Sequence, residues 1–272
     1  MRLGVFLGAA LLLAASLSAC VQPAGIRYPG LPTHEDGGLH VINFNVGQAD
    51  AMLVIYKGKS ILYDCGSPLH EPHLAAQRIP RRLDALLGHR HIDYFVLSHY
   101  HQDHVGSPGR KTPNGRVNPS GIYSLLDRKG VTIGTVIDRG SWTIGKPPAT
   151  YHHYFKAMRR WLAEGKVKER IVAVPGQKIN LGNGVDVEVI VTSGNGWLDR
   201  LATLYPVFVK KNPPSENDYS VGIKVSLADF ELFAAGDLSG ENIVRRFGPV
   251  SMSYNDIESY IATSVGPIEV YR

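Results

Sequence analysis

Four residues that can bind metal ions lie together in the segment Ser98-His99-Tyr100-His101-Gln102-Asp103-His104-Val105-Gly106. In an extended turn, residues two apart project to the same side, so His99 and His101 can converge on one ion. Asp103 and His104 follow as the chain turns and can address a second ion beside the first. Imidazole nitrogen and carboxylate oxygen are the ligands expected for zinc, manganese or iron. The spacing predicts a metal site, and the alternative is a cluster of surface histidines in a loop.

A further candidate ligand is Asp237, which follows the apolar run Phe233-Ala234-Ala235 and a glycine that permits a sharp turn. An aspartate in this position can also cap a helix, here one beginning near Ser239. Taken alone, the two roles are evenly balanced. Beside the histidine cluster, Asp237 becomes the candidate for a carboxylate that bridges two ions.

These residues must be positioned by the ends of strands, where α/β proteins place their sites. Short apolar runs between glycine-containing turns predict strands, and apolar residues at helical spacing predict helices. The predicted strands cover residues 39–46, 51–56, 60–64, 94–98, 132–138, 171–174, 185–191, 219–227, 231–235 and 268–271. The predicted helices cover residues 74–87, 152–163, 240–247 and 255–263. This order predicts an α/β sandwich with sheets inside and helices outside.

The composition is 44% hydrophobic and 19% charged, which is typical of a globular protein and excludes a disordered or fibrous chain. One large domain is the simplest organisation for a chain of this length. The formal net charge of +5 is mildly basic. It favours an anionic substrate or surface but does not establish one.

The first twenty residues are typical of a secretory signal, with Arg2 ahead of an almost continuous apolar run. The ending Leu17-Ser18-Ala19-Cys20 resembles a bacterial lipobox, so residues 1–20 are interpreted as a lipoprotein signal peptide with Cys20 lipidated. The protein would then be exported and anchored in a membrane, on the periplasmic or cell-surface side. An ordinary signal peptide cut near Ala19, or a buried apolar helix, is the alternative. Residues 21–37, rich in proline and glycine, are predicted to be a flexible tether.

Only Cys65 then remains in the folded part of the chain, so no internal disulfide is expected. Cys65 follows a hydrophobic strand pattern. A buried free thiol is the predicted role, and contact with the metal is the alternative.

Several motifs resemble those of the metallo-β-lactamase-fold hydrolases. The run His99-x-His101-x-Asp103-His104 resembles the signature of that superfamily. Asn45-Val46-Gly47-Gln48-Ala49-Asp50 and Leu62-Tyr63-Asp64-Cys65-Gly66 resemble motifs of its ComEC-type branch, related to a competence protein. Asn217-Asp218-Tyr219-Ser220, followed by Gly236-Asp237, resembles later motifs in the same order. The resemblance implies a metallo-β-lactamase-like αβ/βα sandwich over residues 38–272, with two central sheets flanked by helices.

The resemblance also implies a site with two divalent ions, zinc first and manganese as the alternative. Its implied ligands are His99, His101, Asp103, His104 and Asp237. His99 and His101 would hold one ion, Asp103 and His104 the other, and Asp237 would bridge them.

Two further aspartates are implied to support this site rather than to bind the ions. Asp64 would orient a ligand from behind it. Asp50 would act in the same way, and stabilisation of a turn is its alternative role.

The implied reaction is hydrolysis by a metal-activated water, with Asp103 orienting that water and then helping to protonate the leaving group. The branch motifs and the mild basicity favour a phosphodiesterase or nuclease acting on an anionic substrate such as DNA. Basic residues proposed to follow a phosphate backbone are Arg110, Lys111, Arg116, Arg159 and Arg160. Because fold does not fix substrate, one alternative is hydrolysis of a lactone, amide or phosphocholine ester. The other is a lipid-anchored binding protein with a degenerate metal site. No protein partner is predicted.

The sequence departs from the family pattern in two places. The family places a further histidine where this chain has Val191-Thr192-Ser193-Gly194-Asn195-Gly196, and His152 and His153 are expected instead on a substrate-facing helix or a surface. A His-His-Gly-Ser-like segment is due where the chain stops at Tyr271-Arg272. The sandwich is therefore expected to be incomplete at its C-terminal end.

Overall fold

The computed structural model of the protein describes residues 37–68, 71–109 and 117–272. Its strands are β1 (Leu39–Asn43), β2 (Met52–Tyr56), β3 (Lys59–Tyr63), β4 (His91–Val96), β5 (Thr132–Asp138), β6 (Val167–Val172), β7 (Asp186–Val191), β8 (Gly222–Leu227), β9 (Phe230–Ala234), β10 (Ile243–Phe247), β11 (Val250–Tyr254) and β12 (Val270–Tyr271). Its α-helices are α1 (Leu74–Leu87), α2 (Gln102–Val105), α3 (Gly121–Arg128), α4 (Ala149–Ala163), α5 (Trp197–Leu204), α6 (Pro206–Lys211) and α7 (Ile257–Val265). Cys20, the signal segment and residues 21–36 of the predicted tether lie outside the described residues.

The first sheet has six strands in the order β1-β2-β3-β4-β5-β6. Strands β1 to β3 are antiparallel, and β3 to β6 are parallel. Parallel neighbours need a crossover connection, which α1, α3 and α4 provide in turn. The carboxyl ends of β3, β4 and β5 therefore lie at one edge of the sheet.

The second sheet has four strands in the order β12-β9-β8-β7. Strands β7, β8 and β9 are antiparallel, and β12 pairs with β9 in parallel. Strand β9 ends at Ala234, three residues before Asp237. This sheet therefore delivers the second predicted ligand segment.

The core has the layers of an αβ/βα sandwich. Met52, Val54 and Ile61 on one face of the first sheet pack with Val189 and Ile223 of the second sheet. The other face of the first sheet packs against α1, α3 and α4, and the other face of the second packs against α5 and α7. Within the described residues no helix is long and apolar enough to cross a membrane.

The helix predicted over residues 240–247 is wrong, because this segment forms strand β10 and pairs with β11 as a separate two-stranded sheet. Phe247 pairs with Val250, which leaves Gly248 and Pro249 as the turn. Gly248 has φ +61°, the value that the first central position of a type II′ hairpin turn requires. β-Branched Ile243 and Val244 also favour a strand over a helix. No helix begins near Ser239, so Asp237 does not act as a helix cap.

Candidate metal centre

Most of the predicted site residues come from three connections that meet at one edge of the sandwich. The loop 98–106 follows β4, Asp64 follows β3, and Asp237 follows β9. Asp50 lies just before β2, and its backbone N–H donates to the carbonyl oxygen of Asp103 at 2.9 Å. The parallel pairing of β3 with β4 brings the first two connections together. The connection that carries Asp237 is brought to this edge by the packing of the second sheet on the first.

One group of possible ligands consists of His99, His101 and Asp237, whose ligand atoms lie within 4.8 Å of one another. His99 Nε2 lies 3.0 Å from His101 Nδ1 and 3.9 Å from Asp237 Oδ2. His99 is fully buried, and Ser98 Oγ at 3.0 Å and Ser220 Oγ at 3.4 Å hold its Nδ1. These hydroxyls hold the ring so that the other nitrogen of His99, Nε2, faces the other two residues of the group.

A second group consists of Asp50, His104 and Asp237, again with ligand atoms within 4.8 Å of one another. His104 Nε2 lies 3.1 Å from Asp237 Oδ1. Asp50 also forms an ion pair with Arg272, with 2.7 Å between Oδ1 and Nη2. Asp237 is common to both groups, because its two carboxylate oxygens face the two different histidines. Nitrogen and oxygen donors in two such groups fit divalent ions of the zinc or manganese type.

The position of Asp103 differs from the resemblance-based assignment. Among the described residues, the carboxylate grouped with His104 and Asp237 is that of Asp50, and Asp103 is in neither group. The side chain of Asp103 is half-buried and has no hydrogen bond to the described residues. Its roles as a ligand and as a proton carrier remain predictions. Asp50, expected to support the site from behind, is instead placed among the possible ligands.

Asp64 contacts the loop that carries the histidines, and its role as a supporting residue remains a prediction. It is fully buried and has φ +57°, a left-handed conformation that is rare for a non-glycine residue. Its carboxylate accepts hydrogen bonds from Ser98 N at 2.8 Å and Ser98 Oγ at 2.7 Å, and lies 2.8 Å from His104 Nδ1. The contact with Nδ1 leaves His104 Nε2 directed at Asp237.

The two buried histidines differ in charge when no ion is bound. Burial, with His104 and His101 nearby, lowers the pKa of His99 well below its usual value, so His99 is neutral and ready to bind a metal. Burial alone would lower the pKa of His104 too, but the carboxylates of Asp64 and Asp237 raise it well above the usual value. His104 therefore carries a proton that must leave when an ion binds, which makes metal binding pH-dependent.

Two glycines allow the close packing of these connections. A Cβ on Gly66 would lie 1.4 Å from the carbonyl oxygen of Asp103, so only glycine permits β3 to deliver its aspartate beside the loop. A Cβ on Gly236 would lie 2.6 Å from Ser98 Cβ, and Gly236 has φ +63°. Gly66 lies two residues after Asp64 and Gly236 directly before Asp237, so the Asp-x-Gly and Gly-Asp patterns reflect backbone contact.

A buried ion pair that the sequence analysis missed holds the loop 98–106 in place. Arg139 binds Glu216 through two hydrogen bonds of 2.8 Å, and both side chains are buried. Glu216 Oε1 also accepts the backbone N–H of Tyr100 at 3.0 Å. The guanidinium carbon of Arg139 lies 4.5 Å from the ring centroids of both Tyr100 and Tyr219. Because Tyr100 stands between His99 and His101, this pair fixes the backbone that carries the first ligand group.

Asp218 fixes the connection between β11 and α7 to the segment that carries Glu216. It is fully buried and accepts hydrogen bonds from Asn255 N at 3.1 Å and Asn255 Nδ2 at 2.6 Å. Burial raises the pKa of Asp218 to about 7. Between about pH 4 and 7 the folded protein therefore keeps a proton that the unfolded chain has released.

This shift predicts that Asp218 costs stability as the pH rises from about 4 to 7, with little further loss above pH 7. Relative to Asp218→Asn, the wild type should lose about 3 kcal/mol of unfolding free energy between pH 5 and 8. Urea denaturation in a chelator, which removes metal effects, measures the difference. Asp229→Asn is the matched control, because Asp229 is exposed. Parallel pH profiles for the wild type and Asp218→Asn would contradict the prediction.

Other predicted residues fall in three places. Cys65 is buried, free and in neither ligand group among the described residues, as a structural thiol requires. His152 and His153 are exposed on α4. Arg160 is engaged with Asp127 through two hydrogen bonds, and Arg159 is exposed. The predicted backbone-tracking residues Arg110, Lys111 and Arg116 lie outside the described residues.

Residues 44–108 match the family model described as the Metallo-beta-lactamase superfamily. This segment contains β2 to β4, Asp50 and Asp64, and all three histidines of the site. The two packed sheets, with helices on their outer faces, confirm the predicted mixed α/β fold class, and the matched segment forms part of its first sheet. A comparison with curated proteins finds none that matches this sequence.

Several solved structures are similar to the chain. The metallo-β-lactamase fold protein YhfI from Bacillus subtilis is 15% identical with a TM-score of 0.39, over 72% of this chain and 61% of YhfI. A metallo-β-lactamase HARLDQ motif mutant from Cronobacter sakazakii is 20% identical with a TM-score of 0.41, over 85% of this chain and 75% of its own. The subclass B3 enzyme MEM-A1 from a soil metagenome library is 16% identical with a TM-score of 0.45, over 86% and 75% of the two chains. The chain thus spans less than two thirds of YhfI.

Proposed function

We propose that this protein is a metal-dependent hydrolase of phosphodiesters, related to the ComEC-type branch and acting on an anionic substrate such as DNA. The observation that supports this proposal is the sharing of Asp237 between two groups of possible ligands. Sites with two neighbouring ions suit in-line displacement at phosphorus, because both the attacking and the leaving oxygen can be stabilised. When bound, such ions lower the pKa of water and polarise a phosphoryl oxygen.

The residues of the chain divide the remaining tasks. His99, held by two serine hydroxyls, and His104, held by Asp64, present fixed ring nitrogens. Asp103 is the proposed proton carrier, because its half-buried carboxylate is free of hydrogen bonds to the described residues. It can accept a proton from the attacking water and return it to the leaving oxygen. The net charge of +5 favours the approach of an anionic substrate.

The proposal is tested by turnover of a substrate panel with the full chain loaded with zinc or manganese. The panel contains labelled DNA, bis(p-nitrophenyl) phosphate, a β-lactam, a lactone and a phosphocholine ester. We expect both phosphodiesters to be cleaved, a chelator to stop the cleavage, and added metal to restore it. Cleavage of the β-lactam, lactone or phosphocholine ester with both phosphodiesters intact would replace the proposal with the alternative hydrolase. Bound metal without any turnover would favour the binding protein.

We also propose that the protein is exported and held at a membrane by a lipid on Cys20, on the periplasmic or cell-surface side. The lipobox-like ending Leu17-Ser18-Ala19-Cys20 supports this proposal. Cys20→Ala should move the protein from the membrane to the soluble fraction, and retention in the membrane would contradict the proposal.

A further inference from the structure

A cavity of about 780 Å³ lies between α3 and α4, away from the ligand residues described above. Its walls include Tyr123 and Arg128 of α3 and His153, Lys156 and Arg160 of α4. Cavities of this volume are large enough for a ligand of nucleotide size. We call it the α3–α4 cavity.

The positive charge in the α3–α4 cavity is only partly compensated. Arg160 and Lys166 both form ion pairs with Asp127 and Glu164, so their charges are paired. Arg128 instead donates to the backbone carbonyl of Val117 at 2.7 Å, and Lys156 has no hydrogen bond or ion pair to the described residues. Two full positive charges therefore line one cavity with no acidic partner in the part of the chain that the structure describes, which favours an anionic ligand.

An unpartnered hydroxyl in the same wall is an independent sign of a ligand. Tyr123 lines the cavity and is 1% exposed, and its hydroxyl has no hydrogen-bond partner among the described residues. A buried hydroxyl without a partner is unfavourable, and most such groups in folded proteins are satisfied by protein, water or ligand. A phosphate oxygen in the cavity would be an acceptor for this donor.

Both helices of the cavity begin at the loop that carries the metal ligands. A Cβ on Gly121, the first residue of α3, would lie 2.6 Å from the Cα of Gly106. At the start of α4, the hydroxyl of Thr150 donates to the carbonyl oxygen of Tyr100. The first turn of each helix therefore contacts the loop that carries the metal ligands.

We propose that the α3–α4 cavity is a second phosphate-binding site that holds the backbone of a nucleic-acid strand away from the position of cleavage. The inference rests on the proposed phosphodiesterase function and assigns that site a polymeric substrate. Lys156 and Arg128 contact the backbone phosphate, and Tyr123 donates to it. A substrate with a single phosphodiester occupies only the metal centre.

The test compares Lys156→Glu with Lys168→Glu in the full chain. Both lysines are exposed and both changes alter the net charge equally, but only Lys156 lines the cavity, whereas Lys168 lies on β6. Binding of a fluorescent 20-nucleotide single strand is measured by anisotropy in a chelator, at several salt concentrations. We expect Lys156→Glu to raise Kd about tenfold and to reduce the slope of log K against log salt by about 0.7, the value for one lost phosphate contact on single strands. Lys168→Glu should leave that slope unchanged.

Equal effects of the two variants would mean that only overall charge matters and would overturn the proposal, as would an unchanged Kd for Lys156→Glu. Tyr123→Phe provides a second readout, because it should weaken strand binding while leaving the melting temperature of the free protein unchanged or higher. If inorganic phosphate or a mononucleotide binds the cavity while the strand does not depend on Lys156, the ligand is a free phosphate and the proposal is wrong. Because binding is measured without metal, its result stands whether or not the chain cleaves phosphodiesters. If Lys156→Glu cleaves DNA as fast as the wild type, the second phosphate-binding site is wrong while the proposed phosphodiesterase function stands.

Discussion

Replacing Asp237 with alanine is expected to remove both ions at once, because this carboxylate is the one residue common to the two ligand groups. Loss of a residue that merely supports a ligand typically lowers metal affinity 10- to 100-fold, so loss of a shared ligand should lower it by at least about 100-fold. Metal content after equilibration with a competing chelator, measured by mass spectrometry, should fall from about two ions per chain to nearly none. Hydrolysis should fall with it.

Two comparisons make this result specific. Asp229→Ala removes an exposed carboxylate at the turn before β9 and should retain both ions. Asp50→Ala and Asp103→Ala then test which aspartate binds the second ion with His104, Asp50 as the structure groups it or Asp103 as the resemblance implies. The structure groups Asp50 with His104, so Asp50→Ala should lose one ion, whereas loss of an ion only in Asp103→Ala would restore the family assignment. Full metal binding by Asp237→Ala would contradict a shared ligand.

Replacing Arg139 with methionine is expected to destabilise the fold strongly. The change leaves Glu216 buried without a positive partner among the described residues, because Arg139 supplies both side-chain donors to its carboxylate and only the Tyr100 N–H contact remains. Breaking a buried ion pair in this way costs about 3–5 kcal/mol. Chemical denaturation of the metal-free protein measures the loss.

A surface ion pair provides the matched control for this prediction. Arg90 and Asp84 also form two hydrogen bonds, but their side chains are 41% and 46% exposed. Arg90→Met should therefore cost at most about 1 kcal/mol. The double variant Arg139→Met with Glu216→Leu should recover part of the loss, since no charge stays buried. A loss below about 1 kcal/mol for Arg139→Met would mean that Glu216 does not depend on this partner.

The fold class and most of the elements could be predicted from local pattern. The helix over Leu74–Leu87 and the strand over Thr132–Asp138 were predicted to the residue, the first from apolar residues at helical spacing and the second from its β-branched residues. The segment 240–247 failed for a local reason as well. Its Gly-Pro turn signals a hairpin, and the apolar spacing was interpreted as a helix although Ile243 and Val244 are β-branched.

The site could be predicted only as far as its residues lie close in the sequence or follow a known motif. The histidine loop and Asp237 were found in this way. The grouping of Asp50 with His104 depends on a backbone contact with Asp103, and the Arg139–Glu216 pair joins residues that are 77 positions apart. Neither contact produces a spacing pattern that can be recognised in the sequence. Such long-range pairs are fixed by how the sheets pack, which the sequence alone does not show.

The most direct test of the two-ion centre is a crystal structure of the full chain grown with zinc, with anomalous difference maps recorded on both sides of the zinc absorption edge. We expect two peaks, one bound by His99, His101 and Asp237 and the other by His104, Asp237 and Asp50. Asp237 should contact both peaks. Maps with no peak at this edge of the sandwich, from protein saturated with zinc, would contradict the metal centre and the hydrolase proposed from it.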